Sequence, residues 1–309
     1  MKRMLIKIKF KTAKYFLLAS EFLVKHVQPN ETCIPIFIVG TPRSGTTLIY
    51  QTVTTAFKTV YFCNYAEMRN YAPLSATLLG YFQIIRYKSG FNSNFGQSKG
   101  RFAPSQGDWL WRSLLATDTA VDSTAWDLER GRTVINQLHK LFRVPFVNKS
   151  IYMAVNIPIL NKMFPNALYI RVQRKLLDNS VSQLKNLRKN GTEQNAAGDI
   201  WVSAKPGNYE ELLPLPDEQK VVRQLLGLQH DMDVSFSEIN SMNVLTLDYE
   251  VFCNNPGDFI AAVEKRYLEL GGKLVRKSPV PGHFHSHSYA DDDSPDVNAL
   301  RRVVDRLVC

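Results

Sequence analysis

The chain has 309 residues, 45% of them hydrophobic and 21% charged, with a formal net charge of +10. This is an ordinary globular composition, long enough for one large α/β domain or two small ones. The basic excess points to an anionic ligand, a nucleic acid or an anionic membrane surface, and says nothing about fold. Cys33, Cys63, Cys253 and Cys309 are scattered, with no Cys-x-x-Cys and no His/Cys ligand spacing. That argues against a disulfide framework or a structural zinc site and fits a reducing compartment.

Positive charge is concentrated at the start, in Lys2, Arg3, Lys7, Lys9, Lys11 and Lys14, with no acid up to Ala19. Lysines interrupt every short apolar run there, so a signal peptide is not expected. No stretch approaches the ~20 apolar residues of a membrane span. Residues 1–30 are expected to form a basic amphipathic helix or extension, with Leu5, Ile8, Phe16, Leu17 and Leu23 near one face. It either packs on the domain or touches an anionic membrane. The expected location is cytoplasmic, with peripheral membrane contact left open. No motif interleaves aromatics with cations, so no nucleic-acid partner is expected.

After a break at Gln28-Pro29-Asn30, Ile34 to Val39 is a β-branched apolar run and reads as a buried parallel strand. Leu48 to Phe57 reads as a helix and Val60 to Cys63 as a short strand. Tyr71 to Trp111 is rich in Gly, Ser, Asn and aromatics and reads as a loop-rich lid or substrate wall. A helix from Asp122-Ser123 to about Phe142 precedes a strand at Phe146–Asn148 that ends at Lys149-Ser150. Helices follow at Ile157–Met163, Leu176–Arg188, Asp217 to about Ile239, and Gly257 to Leu270, with strands at Ala167–Val172 and Val244–Leu247 between them. His283 to Pro295 reads as a mobile loop before a last helix at Val297–Leu307. Strands alternating with helices predict an α/β fold: one P-loop-like domain over 31–309, its mainly parallel central sheet flanked by helices on both faces.

A strand, then Gly40-x-x-x-x-Gly45-Thr46-Thr47, then a helix is the order of a phosphate cradle. Glycines let the backbone approach an anion, and successive N–H groups and the helix N-terminus point at its oxygens. The loop departs from the nucleotide-triphosphatase pattern, which has Lys after the second Gly. Thr46 stands there instead, and the cation is Arg43 inside the loop. Losing that Lys suggests a donor with less charge at the cleaved bond, as in a phosphosulfate. A single fixed cation then suffices for the leaving phosphate, and no metal is expected.

Thr41-Pro42-Arg43-Ser44-Gly45-Thr46-Thr47 resembles the 5′-phosphosulfate loop of the sulfotransferases that use 3′-phosphoadenosine 5′-phosphosulfate (PAPS). Tyr169-Ile-Arg-Val-Gln-Arg174, followed eight residues later by Ser182, is similar to the family's 3′-phosphate motif. The usual Asp-Pro is replaced by Lys175-Leu176, and Arg171 competes with Arg174 for the role. Weaker echoes are Asn148-Lys149-Ser150, Asp248-Tyr249-Glu250, and Phe95-Gly96 with Pro104 and Trp111. The resemblance implies PAPS as sulfuryl donor. It implies that backbone N–H groups of Ser44 to Thr47 hold the 5′ end and that Arg43 neutralises the leaving phosphate. It further places Lys149 near the transferred group and has Arg174 and Ser182 grip the 3′-phosphate.

Two carboxylates are candidates for the general base, Glu67 ahead of Asp108, because Gln106 stands where related bacterial members often carry an acid. The aromatic 71–111 stretch suggests an acceptor glycan, since aromatic rings stack on sugar faces. His283-x-His285-x-His287 would suit a metal only as part of a larger ligand set, and a polar loop is the favoured reading. The alternative activity is a nucleotide or metabolite kinase using the same loop. A basic membrane-bound or nucleic-acid-binding module is the alternative outside enzymes.

Overall fold

The protein is described from a computed structural model over residues 33–69, 72–94, 96–107, 111 and 128–308. The expected basic helix over 1–30 and the candidate Asp108 lie outside the described residues.

Four strands form the central sheet: β1 (Ile36–Gly40), β4 (Val147–Lys149), β5 (Leu168–Gln173) and β8 (Val244–Asp248). All are parallel, in the order β4-β1-β5-β8. Two short antiparallel hairpins lie outside it, β2 (Ser93–Asn94) with β3 (Gln97–Ser98), and β6 (Thr192–Glu193) with β7 (Ile200–Trp201). The helices that frame the sheet are α1 (Thr46–Ala56), α2 (Pro73–Arg86), α3 (Leu128–Phe142), α4 (Ile157–Met163), α5 (Leu176–Asn190), α6 (Asp217–Ser237), α7 (Tyr249–Asn254), α8 (Pro256–Glu269) and α9 (Pro295–Val308).

β1 shows why both faces must be covered. Side chains alternate across a strand. Ile36 and Ile38 pack with Ile49 and Val53 of α1, Phe252 of α7 and Ile260 and Val263 of α8. Phe37 and Val39 pack on the opposite side with Ile135 and Leu138 of α3, Ile157 and Leu160 of α4, and Phe236 of α6. β5 divides likewise, Tyr169 to one side and Leu168, Ile170 and Val172 to the other. A third cluster joins α5, α6 and α9 through Val181, Leu184, Val221, Val222, Val297 and Leu300.

Most expected elements are present, shifted by one or two residues at their ends. Two readings need correction. The stretch 71–111 holds α2, which Pro73 starts at its first turn and which buries Leu74, Ala76 and Ile84. Its glycines and serines concentrate in the hairpin region beyond Tyr87. Val60 to Cys63 is buried and extended but not a strand of the sheet. It is joined to the start of β4 where Val60 N–H donates to the Pro145 carbonyl (2.9 Å) and Val147 N–H to that of Val60 (2.9 Å). No helix among the described residues is long and apolar enough to cross a membrane.

Candidate active site

The order of strands reverses at β1, with β4 on one side and β5 on the other. In open parallel sheets ligands bind at the carboxyl ends of the strands beside such a reversal. Here all four strand ends deliver a candidate residue. β1 runs into the 41–45 loop, β4 ends at Lys149, β5 is followed by Arg174, and β8 by Tyr249 and Glu250. A cleft of about 530 Å³ opens there. Thr41, Pro42, Arg43, Gly45, Thr46, Thr47, Lys149 and Arg174 all line it. Its charged lining, among the described residues, is three cations and no carboxylate.

Two glycines make the loop possible. A Cβ on Gly40 would lie 2.6 Å from Ser44 Oγ and 2.9 Å from the Val172 carbonyl. Gly45 has φ +95°, and a Cβ there would fall 2.1 Å from the Tyr249 ring. Arg43 also adopts the left-handed region, with φ 65°. No side chain caps α1, so its first N–H groups remain available at the cleft. Ser44 serves the loop rather than the cleft. Its N–H closes a turn on the Thr41 carbonyl (3.2 Å), and its fully buried Oγ makes no hydrogen bond among the described residues.

Arg43 and Ser182 come together across 139 residues of sequence, Arg43 Nε donating to Ser182 Oγ at 3.1 Å. Ser182 thus supports the loop arginine and is not part of the cleft lining. Arg174 donates to the Arg43 carbonyl at 2.8 Å, lies 5.0 Å from the Tyr249 ring centroid, and pairs with Glu250 at 3.9 Å. Burial first, and the nearby Arg174 guanidinium second, hold Arg43 below its ordinary arginine value. Arg171, the competitor, points elsewhere. It pairs with Asp233 of α6 and sits over the Phe236 ring. Burial, then Asp248, push the Glu250 carboxyl above its ordinary range, against the pull of Arg174.

Asn179, on α5, carries no sequence signal for this role. It is buried and, with its amide turned to satisfy its neighbours, donates to the Pro42 carbonyl (2.7 Å) and accepts from Thr41 Oγ1 (2.7 Å). Sequence alone cannot find it, because only the fold brings α5 against the loop. Ser203 lines the cleft too, with φ 75°, in the segment after β7.

Lys149 is 5% exposed, and its Nζ donates to Gln106 Oε1 at 2.8 Å. Beyond Gln106 the cleft continues into a second cavity of about 230 Å³. The two share Gly96, Gln97 and Gln106. Asn64, Glu67, Met68 and Ser98 line the second cavity, so Glu67 is placed beside the donor cleft. Its wall is tied to α1 and the nearby helical turn. Thr47 Oγ1 donates to the Gly96 carbonyl (3.3 Å), Gln51 Nε2 to Ser98 Oγ (2.9 Å), and Asn64 Nδ2 to the Ser98 carbonyl (2.9 Å).

Several of the described aromatics of 71–111 pack against other side chains. Tyr81 stacks on Phe142, while Phe91 packs at a tilt against Phe284 and Phe102 against Tyr65. Trp111 is buried and donates from Nε1 to Asn148 Oδ1 (2.8 Å). Lys277 donates to the Thr54 carbonyl, at the far end of α1 from the cleft. His285 and His287 pack edge to face, and the His287 carbonyl accepts from Arg174 at 3.4 Å. No group of three or more His, Cys, Asp or Glu positioned to hold a metal occurs among the described residues.

No curated protein matches the chain closely enough in sequence to count as a relative. Among solved structures it is similar to sulfotransferase STF9 from Mycobacterium avium, at 15% identity and a TM-score of 0.51, over 90% of this chain and 69% of that one. It is similar also to sulfotransferase STF1 from Mycobacterium tuberculosis H37Rv, at 14% identity and a TM-score of 0.51, over 94% of this chain and 81% of that one. These likenesses establish the P-loop-like fold. The sequence profile of the Sulfotransferase family matches residues 35–267, well over half the chain, and the chain therefore belongs to that family.

Proposed function

We propose that this sulfotransferase takes its sulfuryl group from PAPS and delivers it to an acceptor hydroxyl, on a carbohydrate or glycan, by in-line displacement. One observation carries the donor: the cleft at the strand ends combines an uncapped helix N-terminus with three cations and no carboxylate in its described lining. Such a lining suits a polyanion with charge at both ends. Arg43 and the first turn of α1 would hold the 5′-phosphosulfate. Arg174, reaching in from the end of β5, would take the 3′-phosphate, with Ser182 steadying Arg43.

During transfer the bond from sulfur to the leaving phosphate oxygen breaks as the acceptor oxygen bonds to sulfur. Arg43 offsets the charge that develops on the leaving phosphate, and Lys149 faces the transferred group. Glu67, in the adjoining cavity, is the proposed base that receives the acceptor proton. The acceptor reading rests on that cavity. Asn64, Gln97, Ser98 and Gln106 line it, a polar set that suits a substrate bearing several hydroxyls.

Thermal shift with adenosine 3′,5′-bisphosphate, PAPS and ATP tests the donor. The two adenosine 3′-phosphates should each raise the melting temperature well beyond ATP, and preference for ATP would sink the assignment. Sulfate transfer to 4-nitrophenyl glycosides, compared with 2-naphthol and a tyrosine peptide, tests the acceptor. Faster transfer to the phenols would overturn the carbohydrate reading. Transfer should persist in EDTA, because side chains and backbone supply all the positive potential used.

A further inference from the structure

Four side-chain amides form a directed chain from the core to the cleft wall. Gln224 of α6 donates from Nε2 to the carbonyls of Val202 (2.9 Å) and Ala204 (2.8 Å). Its Oε1 accepts from Gln183 Nε2 at 2.8 Å. Gln183 Oε1 accepts from Asn186 Nδ2 (3.4 Å), and Asn186 Oδ1 accepts from Asn190 Nδ2 (2.9 Å). Gln183, Asn186 and Gln224 are buried, where an amide without partners is costly. A backbone carbonyl can only accept, so the two carbonyls fix which end of Gln224 faces them. Each amide then fixes the next. The chain ends at Asn190, which lines the cleft with its N–H committed inward and its amide oxygen as the outer acceptor.

α5 starts just after Arg174 and reaches Arg43 at Ser182. Asn186 and Asn190 follow one and two turns later on the same face, about 6 Å and about 12 Å further along the axis. With the donor held as proposed, α5 runs from its 3′ end past the phosphosulfate, toward the side from which an in-line acceptor approaches. Ser203 lines the cleft with them. Gln224 holds the carbonyls on either side of Ser203, and Trp201 Nε1 donates to the Ser203 carbonyl (3.3 Å). Its φ of 75° is thus enforced by its surroundings. We propose that Asn186, Asn190 and Ser203 form a second acceptor wall, which hydrogen-bonds the sugar unit next to the one being sulfated. This rests on the donor and carbohydrate readings above. None of the three lines the cavity that holds Glu67. An acceptor of two or more sugar units engages both walls, and a single glycoside engages one. Asn190 and Ser203 are therefore specificity-determining residues for acceptor length.

The test uses the full chain, Asn190→Ala at an exposed helical position, and Ser203→Gly, which deletes the hydroxyl and suits the positive φ. The readouts are sulfate transfer from PAPS to 4-nitrophenyl glycosides of one and of three sugar units, and calorimetric affinity for adenosine 3′,5′-bisphosphate. Wild type should show a higher kcat/KM for the trisaccharide. Each variant should lower the ratio of trisaccharide to monosaccharide kcat/KM by roughly two- to tenfold, the worth of one neutral hydrogen bond. Bisphosphate affinity should stay within about twofold of wild type. An unchanged ratio in both variants would overturn the proposal, and so would equal loss on both glycosides, which marks a merely structural role. Loss of bisphosphate affinity would overturn it by assigning the wall to the donor. Equal wild-type kcat/KM for the two glycosides overturns this inference alone. A wild type that binds the bisphosphate but sulfates no glycoside overturns the carbohydrate reading with it, and one that does not bind the bisphosphate overturns the donor reading.

Discussion

Arg174 donates from Nη1 to the backbone carbonyl of Arg43 at 2.8 Å. The residue proposed for one end of the donor thus holds the residue proposed for the other. It also steadies a non-glycine backbone in the left-handed region, which is otherwise unfavourable. Two guanidinium groups this close repel, which is one reason Arg43 is held below its usual value. The proposed polyanionic donor would relieve that repulsion at both residues at once.

Arg174→Lys keeps the charge and loses the planar fork that reaches the Arg43 carbonyl. Affinity for adenosine 3′,5′-bisphosphate should fall roughly ten- to a hundredfold, the worth of one or two charge-assisted hydrogen bonds. Isothermal calorimetry measures it. Arg171→Lys, which alters the pair with Asp233 outside the cleft, should leave that affinity unchanged.

Gly45→Ala places a Cβ at φ +95° and 2.1 Å from the Tyr249 ring. Strain of about 1–3 kcal/mol should appear as a lower melting temperature. Displacement of Tyr249 should also disturb Arg174, whose guanidinium lies 5.0 Å from that ring. Bisphosphate binding is expected to drop with stability, and a variant with wild-type binding would contradict the cradle geometry.

Glu67→Gln removes the proposed proton acceptor in the second cavity and should cost about 10²–10⁴ in turnover. Bisphosphate affinity should not change, because Glu67 lines the acceptor side alone. Steady-state rates of Glu67→Gln and, separately, Asp108→Asn discriminate the two candidate bases. Full activity in both variants would remove both from the mechanism.

Glu250 has a folded-state carboxyl value above its ordinary 4.5, set chiefly by burial. Its ionised form is therefore disfavoured in the fold, and the penalty exists only where the group is ionised. Glu250→Gln should melt higher than wild type at neutral pH. The difference should shrink as the pH falls through the carboxylate range and Glu250 takes up its proton. Melting curves at about pH 7 and about pH 4, roughly the two ends of that titration, would refute this if the gap widened on acidification.

Local chemistry wrote much of this protein into its sequence. The apolar run before Gly40, the Gly40 to Thr47 spacing and the arginine in place of lysine are all contiguous, so they announce a strand, a phosphate loop and a helix without any partner. Lys149 and Arg174 were legible through the resemblance of their segments to the family's motifs, and both line the cleft. Long-range packing decided the rest. Arg174 lines the cleft and Arg171 does not, because alternation along β5 sends Arg171 toward Asp233 on α6. Ser182 supports Arg43, and Asn179 fastens Thr41 and Pro42, because α5 lies against a loop more than a hundred residues earlier. The aromatics of 71–111 carry composition but not direction, and the fold packs several of those described against other rings. That Glu67 and Lys149 line adjoining cavities which share Gln106 follows from three separate segments converging, which no spacing in the chain records.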